Sequence, residues 1–394
     1  SQACCKRRVA ICLVMPRALS MAVDGFQEFI ELVPQRFYWV CLRERPPDTP
    51  STVYVSTDSV FSYEPFFNEF GPLDLAQVHR YCMFMEFKLA APDLSDRELV
   101  HCCSCDAKQM TSAAFLAAAY LVIMRNETPK SALRRFREAG VPLLDYCGAS
   151  RKKGNDFKVS VLDCLEGLSA AIRHGWYAFN QFDANVYSFF SNLRNGDMNW
   201  IIPGTLLAFA GPCSSEAGLP LAEYAGHFSA AGIGLVLRLN ASEYDPRIFR
   251  DAGIRHEDLV FDDGSCPPAA VVAEFLGAVE ASPSAVAVHC KAGLGRTCTL
   301  IGLYAMKHFG ISARAYIGWS RICRPGSVIG QQQQQYLVNM QPVMWAEGCG
   351  HGLDEWQGLA QVQLLDRSRA ECSQEYGQGL GLCEAQRRRK CRPC

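Results

Sequence analysis

Apolar and polar positions divide the chain into two stretches in which strand-length apolar runs alternate with longer, helix-period segments. In the first stretch Phe37 to Cys41 and Val53 to Val55 read as strands, separated by the turn cluster Pro46-Pro47-Asp48-Thr49-Pro50. Leu73 to Leu89 reads as a helix, and Leu99-Val100 as a short strand ending in His101-Cys102. Beyond a polar loop, Ala113 to Met124 is an apolar helix. The next helix is well punctuated, with Thr128 as N-cap, Pro129 at the first position and Gly140 past the end.

A connector rich in small and charged residues, Gly148 to Asn155, leads to a helix from Val159 to His174. The second stretch then opens with strands at Trp200 to Ile202 and Leu206 to Phe209, followed by a helix near Leu219 to Ala230. Strands at Leu235 to Leu237 and Leu259 to Phe261 follow. Pro267 and Pro268 start a helix through Val279, whose apolar face is Val271, Val272, Phe275, Leu276 and Val279. A further strand, Val286 to Val288, ends at His289-Cys290, and an apolar helix runs through Leu300 to Met306. Strands alternating with helices imply an α/β fold in each half.

The halves also echo each other. Leu99-Val100-His101-Cys102, an apolar helix and an amphipathic helix recur as Ala287-Val288-His289-Cys290, an apolar helix and the segment Ile311 to Ile322. Duplication of one domain is the expectation. The first copy carries Lys108, Gln109 and Thr111, not Arg, six positions after Cys102, Cys103 and Cys105. Without an arginine fork it is expected to bind phosphate weakly and to serve a structural or substrate-docking role. Cys102 and Cys105 form a CxxC, but no second pair lies near enough in sequence to make a zinc site.

Composition narrows the class. The 394 residues suffice for two domains with their own cores, and a net charge of −1 argues against a nucleic-acid partner. Many of the 20 cysteines lie in apolar segments, which fits an intracellular protein, nuclear or cytoplasmic, better than a secreted disulfide scaffold. No stretch reads as a membrane span, the longest candidate, Ala113 to Met124, fitting a buried helix better. Residues 1–27 read as a leader whose basic start and short apolar run only faintly suggest a signal peptide. The remainder divides into a first domain at 28–155, a linker helix region at 156–198, a second domain at 199–345 and a tail at 346–394. In the tail, Arg387-Arg388-Arg389-Lys390 is either a nuclear-import patch or a solvated charge run, and the final Cys391-Arg392-Pro393-Cys394 lacks the aliphatic residues of a prenylation signal.

The chemistry concentrates between Val286 and Thr297. A strand ending at Cys290, the loop Lys291-Ala292-Gly293-Leu294-Gly295 and then Arg296 at a helix start make a ready anion site. Its field would keep Cys290 as a thiolate, while Arg296 offers a planar fork to phosphate oxygens. Departure of an alcohol from phosphate needs an acid, and Asp262 and Asp263, in the acidic loop after Phe261, are the candidates.

Cys, five residues and Arg form the general signature of cysteine-dependent protein phosphatases. His289 to Thr297, together with the segment from Arg321 to Gly330, closely resembles the Cdc-fourteen-type dual-specificity phosphatases of mitotic exit. Phe70 to Leu73, Leu162 to Leu165, Asn195 to Asp197 and Asn199 to Ile201 extend the resemblance over about residues 28 to 345. It implies two tandem dual-specificity-phosphatase-like domains with only the second catalytic. It makes Cys290 the nucleophile that forms a phosphocysteine, Arg296 the phosphate-binding arginine and Asp263 the acid. His289 would tune the thiolate and Thr297 would hydrogen-bond the sulfur. No metal or other cofactor is implied, and the expected substrates are phosphoproteins made by proline-directed kinases, often with a basic residue downstream.

Three departures qualify the carry-over. Cys298 stands where the family usually has glycine, and is expected to be a small buried hydrophobe rather than a disulfide partner for Cys290. Gly330 leads into five glutamines, leaving Gln332 and Gln333 as candidates to position water. Between Asn180 and Arg194 the single acid is Asp183, which predicts weak selection for a downstream basic residue. A phosphoinositide phosphatase would share the loop but call for a basic residue where Leu294 stands. A catalytically inert phosphoprotein-binding module would have lost Cys290, Arg296 or the acid, and all are present.

Overall fold

The structure, a computed structural model, describes residues 29–65, 69–147, 157–212 and 218–348. The leader, the connector at 148–155, and the basic patch and terminal cysteines of the tail lie outside the described residues.

The first half opens with an antiparallel hairpin, β1 (Ile30–Val33) and β2 (Phe37–Cys41). After β3 (Thr52–Ser56), α1 (Leu75–Ala90) begins at a capping box in which Asp74 accepts from the Gln77 N–H and the Gln77 side chain accepts in return from the Asp74 N–H. Then come β4 (Glu98–Cys103), α2 (Ala107–Met124) and α3 (Pro129–Glu138), whose cap is Thr128 as the sequence implies. A short pair, β5 (Tyr146–Cys147) and β6 (Lys158–Val159), precedes α4 (Val161–Arg173) and α5 (Ala184–Phe190). The α2 helix is longer than the apolar run that announces it, because Asp106 caps it a turn and a half earlier through the Lys108 and Gln109 N–H groups. Long and apolar enough by composition to cross a membrane, it has 72% of its residues buried inside the protein and is the core helix of its half.

The second half contains β7 (Met198–Ile202), β8 (Leu206–Ala210), α6 (Leu221–Ala230), β9 (Ile233–Arg238), α7 (Arg247–Arg250) and β10 (Arg255–Asp258). It continues through α8 (Ala269–Glu280), β11 (Ala285–Cys290), α9 (Arg296–Phe309), α10 (Ala313–Cys323) and α11 (Gln331–Gly348). One strand is displaced from its expected place: pairing with β9 uses Arg255 to Asp258, and the apolar Leu259 to Phe261 leave the sheet as a loop over the site. Hydrophobicity misplaced it because β10 is an edge strand of polar residues, while Leu259 and Phe261 leave the sheet and pack into the main core.

The sheets share one topology. The first has order β1-β2-β4-β3 and the second β10-β9-β11-β8-β7, so each has an antiparallel hairpin beside parallel strands and β10 is the addition. This supports duplication, with the register corrected by one residue. Cys290 ends its strand facing the helix-covered core, and so does Cys103, whereas Cys102 faces the opposite side with Tyr38 and Val40. A one-residue shift in a strand reverses every side chain. Cys103, not Cys102, is therefore the counterpart of Cys290.

One core runs through both halves, joined by α4 and α10. These helices touch backbone to backbone. A Cβ on Gly167 would collide with the Ala315 carbonyl, and one on Gly318 would sit 2.7 Å from the Asp163 carbonyl. Arg314 holds the Asp163 carboxylate at 3.1 and 2.9 Å beside this contact, and Tyr187 of α5 donates to the Cys323 carbonyl at 2.6 Å.

Candidate active site

Cys290 is the last residue of the central strand β11, between β8 and β9, and is 3% exposed. From it the loop Lys291 to Gly295 rises to α9. Gly293 has φ +65°, and any Cβ there would strike the Phe209 carbonyl, so only glycine meets the geometry. The loop's carbonyls are drawn outward one after another. Lys291 O accepts from Gly211 N at 3.0 Å, Ala292 O from Arg324 Nη2 at 3.0 Å, Gly293 O from Arg324 Nε at 2.8 Å and Leu294 O from Val328 N at 3.0 Å. In a planar trans peptide the N–H points opposite to the carbonyl. The following N–H groups are thereby turned inward, which is the arrangement of an anion nest.

Arg324 is completely buried, and its remaining contacts explain how a guanidinium survives there. Nη1 donates to Asp197 Oδ1 at 2.8 Å, Asp197 O at 2.9 Å and Asn199 Oδ1 at 2.7 Å. A buried charge needs a partner and full hydrogen bonding, and this one has both. The Asn195 to Asp197 and Asn199 to Ile201 segments are thus tied physically to the loop they accompany in the family pattern.

Arg296, at the first position of α9, is also buried. Its Nη1 donates to the carbonyls of Leu239 and Phe261 at 3.1 and 2.9 Å, and its Nη2 lies 3.1 Å from Asp263 Oδ1. Nε has no partner. The acidic loop is therefore fastened to the arginine at two points, and Asp263 rather than Asp262 faces the site; the Asp262 carbonyl is taken up by the Ser265 N–H and hydroxyl. Ala292 and Leu294 pack with Ile329 as a small apolar floor, so the Leu294 position presents no cation, while Lys291 reaches Glu243 at 3.7 Å.

His289 points away from Cys290 into a chain of polar contacts. Its Nδ1 is 2.9 Å from the Cys290 carbonyl, which can only accept, so Nε2 is the acceptor for Tyr244 Oη at 2.7 Å. Tyr244 Oη in turn accepts from His256 Nε2 at 2.8 Å. Burial pushes the His289 pKa down to about 3 and that of His256 to about 4, so both rings are neutral at ordinary pH.

Thr297 is fully buried but makes no hydrogen bond to sulfur; its hydroxyl has no partner. The expected bond is absent, and an unpaired hydroxyl lies in the first turn of α9. Cys298 behaves as the small buried residue expected. Its Sγ lies 3.2 Å from Ser327 Oγ and 3.8 Å from the Gly293 carbonyl, and burial raises its pKa to about 11. Of the two glutamines, Gln333 is the one against the loop. A Cβ on Gly295 would sit 2.8 Å from Gln333 Oε1, while Gln333 Nε2 donates to the Ser265 carbonyl at 3.1 Å. Gln332 is half-buried, and its carbonyl accepts from Cys266 Sγ at 3.5 Å.

Sequence reasoning missed Tyr244, His256 and the role of Arg324. The first two lie far from the loop in sequence, and nothing in a linear pattern marks an arginine as buried. Among the described residues no group of acidic, histidine or cysteine side chains could hold a metal ion.

The first half has no such nest. Between β4 and α2 only Ser104, Cys105 and Asp106 intervene, and the Ser104 N–H is taken by Asp58 Oδ2 at 2.7 Å. A carboxylate of the chain stands where an anion would be drawn.

A central strand ending in cysteine, an inward-facing five-residue nest and an arginine opening the next helix are the site architecture of the cysteine-dependent, dual-specificity phosphatase class. Residues 31–171 match the family model for the N-terminal half of dual specificity protein phosphatases, and 195–341 match the DSP-PTPase phosphatase domain of the "Swiss Army Knife" group. The chain is 40% identical over 322 residues to human dual specificity protein phosphatase CDC14C, covering 80% of this chain and 72% of that protein. It is 44% identical over 332 residues to CDC14AB of Danio rerio, covering 82% and 53%. With the tyrosine-protein phosphatase cdc-14 of Caenorhabditis elegans it shares 35% identity over 355 residues, covering 86% and 50%. The chain belongs to the CDC14 family of dual specificity protein phosphatases. The chain spans about half the length of other relatives it matches, 53% of the Danio rerio protein and 54% of human dual specificity protein phosphatase CDC14A.

Proposed function

We propose that the chain is a protein phosphatase acting on phosphoserine, phosphothreonine and phosphotyrosine through a phosphocysteine intermediate, in cell-cycle control at mitotic exit. The observation that carries this reading is that one loop joins Cys290, the outward-pulled carbonyls and the Arg296–Asp263 pair. Phosphate oxygens would occupy the inward N–H groups and the fork of Arg296. The Cys290 thiolate attacks phosphorus in line as the P–O bond to the substrate breaks. Asp263 gives its proton to the departing oxygen, and afterwards takes one from a water aligned by Gln333. That water attacks phosphorus, the S–P bond breaks, and inorganic phosphate and the Cys290 thiolate are released. Neutral His289, donating to the Cys290 carbonyl and held by Tyr244, would keep the end of the strand in place rather than exchange protons.

The preference for proline after the phosphorylated residue is part of the proposal. A cleft between the halves is lined by Tyr63, Phe70, Gly71 and Pro72 on one side and by Pro325, Gly326 and Ile329 on the other. Glu69 and Arg321 share the cleft with these apolar residues, and Ile329, which also packs on the floor of the phosphate loop, joins the cleft's apolar side to the site. The division at 156–198, with the second domain catalytic and the first a docking partner, belongs to the same reading, as does a nuclear or cytoplasmic setting. Asp183 caps α5 through the Asn185 and Val186 N–H groups, which supports weak selection for a downstream basic residue.

The test compares wild type, Cys290→Ser and Asp263→Ala on phosphoserine-proline peptides, phosphotyrosine peptides and phosphoinositides. Turnover of the peptides, its loss in Cys290→Ser and little activity on phosphoinositides are expected. Equal activity in wild type and Cys290→Ser would sink the mechanism. Peptides with and without a downstream Lys or Arg should turn over comparably, and a strong preference would refute the specificity reading.

A further inference from the structure

The first half has lost the anion nest but kept thiols in its place. Cys103 ends β4 as Cys290 ends β11, and its register partner on β2 is Cys41. Two residues further on, in the three-residue loop before α2, lies Cys105. Its Sγ is 2.9 Å from the Sγ of Cys41, although the two residues are 64 apart in sequence. Access is unequal. Cys41 and Cys103 are buried, and only Cys105 is exposed. Cys102, the fourth thiol of the segment, faces the other side of the sheet and donates toward the Val55 carbonyl at 3.5 Å.

We propose that Cys41 and Cys105 are a reversible oxidation site for hydrogen peroxide, with Cys105 as the thiol that meets the oxidant and Cys41 as the thiol that resolves it. In the first step the Cys105 thiolate attacks one peroxide oxygen. The O–O bond breaks, an S–O bond forms, and hydroxide leaves to be protonated to water, giving a sulfenic acid. In the second step Cys41 sulfur attacks Cys105 sulfur. The S–O bond breaks, hydroxide leaves with the proton of Cys41 as a second water, and a disulfide remains. Two thiols and one peroxide thus yield one disulfide and two waters. The peroxide is reduced and the sulfurs are oxidised by two electrons in total.

The geometry favours this outcome over irreversible damage. A sulfenic acid is lost to higher oxidation states when no thiol is at hand, and here one is already in contact. Closure to a bond of about 2.05 Å needs less than about 1 Å of further approach. Burial, with the neighbouring Cys105 adding to it, holds the Cys41 thiol up at about 12, so Cys41 is kept protonated and, being buried, does not itself meet the oxidant. The site is independent of the phosphatase reading, because neither thiol touches the Cys290 pocket's hydrogen-bond network.

The experiment uses the full chain. Folded protein is exposed to a few equivalents of hydrogen peroxide, free thiols are blocked with N-ethylmaleimide, and the digest is mapped by mass spectrometry without reduction. A Cys41–Cys105 linked peptide is expected, lost on adding dithiothreitol and absent in Cys105→Ser, a substitution at an exposed position that leaves the core intact. Chain unfolded in denaturant before peroxide is expected to lose the preference for this pair. Recovery of Cys105 as sulfinic or sulfonic acid with Cys41 still alkylated would overturn the proposal. So would linkage of Cys105 mainly to Cys102 or Cys103, or an equal yield of the Cys41–Cys105 peptide from unfolded chain.

Discussion

The carboxylate of Asp263 and the guanidinium of Arg296 hold each other at 3.1 Å across the mouth of the site. An entering phosphate must take the Nη2 donor for itself, so binding of the anion and release of the acid are one event. Asp263 is half exposed, and such a pair is worth up to about 1 kcal/mol. Asp263→Asn is therefore expected to bind vanadate as tightly as wild type or up to about fivefold more tightly. Turnover of phosphoserine peptides should fall roughly 10²- to 10⁴-fold. An aryl phosphate with an acidic leaving group should lose much less, because it departs without a proton. Equal losses on both substrates would remove Asp263 from the acid's role.

Arg324 is the anchor of the loop, with one guanidinium serving the Ala292, Gly293 and Asp197 carbonyls and the Asp197 and Asn199 side chains. Arg324→Met would remove the buried ion-pair partner of Asp197, at an expected cost of about 3–5 kcal/mol in thermal or urea unfolding. Adding Asp197→Asn should restore part of that stability without restoring phosphate affinity, since the loop carbonyls remain unheld. A double variant that regains both would show that the loop does not depend on the anchor.

Gln333 lies against Gly295, and Gln332 does not. In stopped-flow with an aryl phosphate, Gln333→Leu should give a normal burst of released phenol followed by turnover slowed by on the order of 10- to 100-fold, the cost of a misaligned water. Gln332→Leu should stay close to wild type. The reverse pattern would transfer the role.

Two fully buried histidines set a limit at acid pH. Burial lowers His101 and His289 to about 3 in the folded chain, against about 6.5 when unfolded. Between those values the unfolded state binds the protons and the native state does not. Their contribution is complete above about pH 6.5 and is lost as pH falls toward 3, at about 1.4 kcal/mol per unit for each ring. Urea midpoints measured from pH 7 to pH 4 should decline accordingly, and His101→Gln, which keeps polar contact with Thr57 and Tyr81, should flatten the decline.

Much of this was legible in the linear pattern, and where it failed the reasons are physical. The strand at Ala285 to Cys290 and the helix after Gly295 could be read because burial on both faces leaves an apolar run, and because the loop's chemistry is contiguous. From the residues alone Asp263 was legible only as one of two acids; the family resemblance chose between them, and the contact with Arg296 agrees with that choice. Edge strand β10 was misplaced since a polar edge carries no hydrophobic signal, and α11 was not foreseen since its first turn is all glutamine. His101 was aligned with His289 by identity, whereas the register reverses its face. Arg324, Tyr244 and His256 act through contacts spanning tens of residues, which no local pattern encodes.

The glycine contact between α4 and α10 bears on the history of the molecule. Where Gly167 and Gly318 let two backbones touch, each half has given up the side chains that would cover its surface if it stood alone. Deleting either half would not return an ancestral single-unit protein but would bare a notch fitted to a missing neighbour.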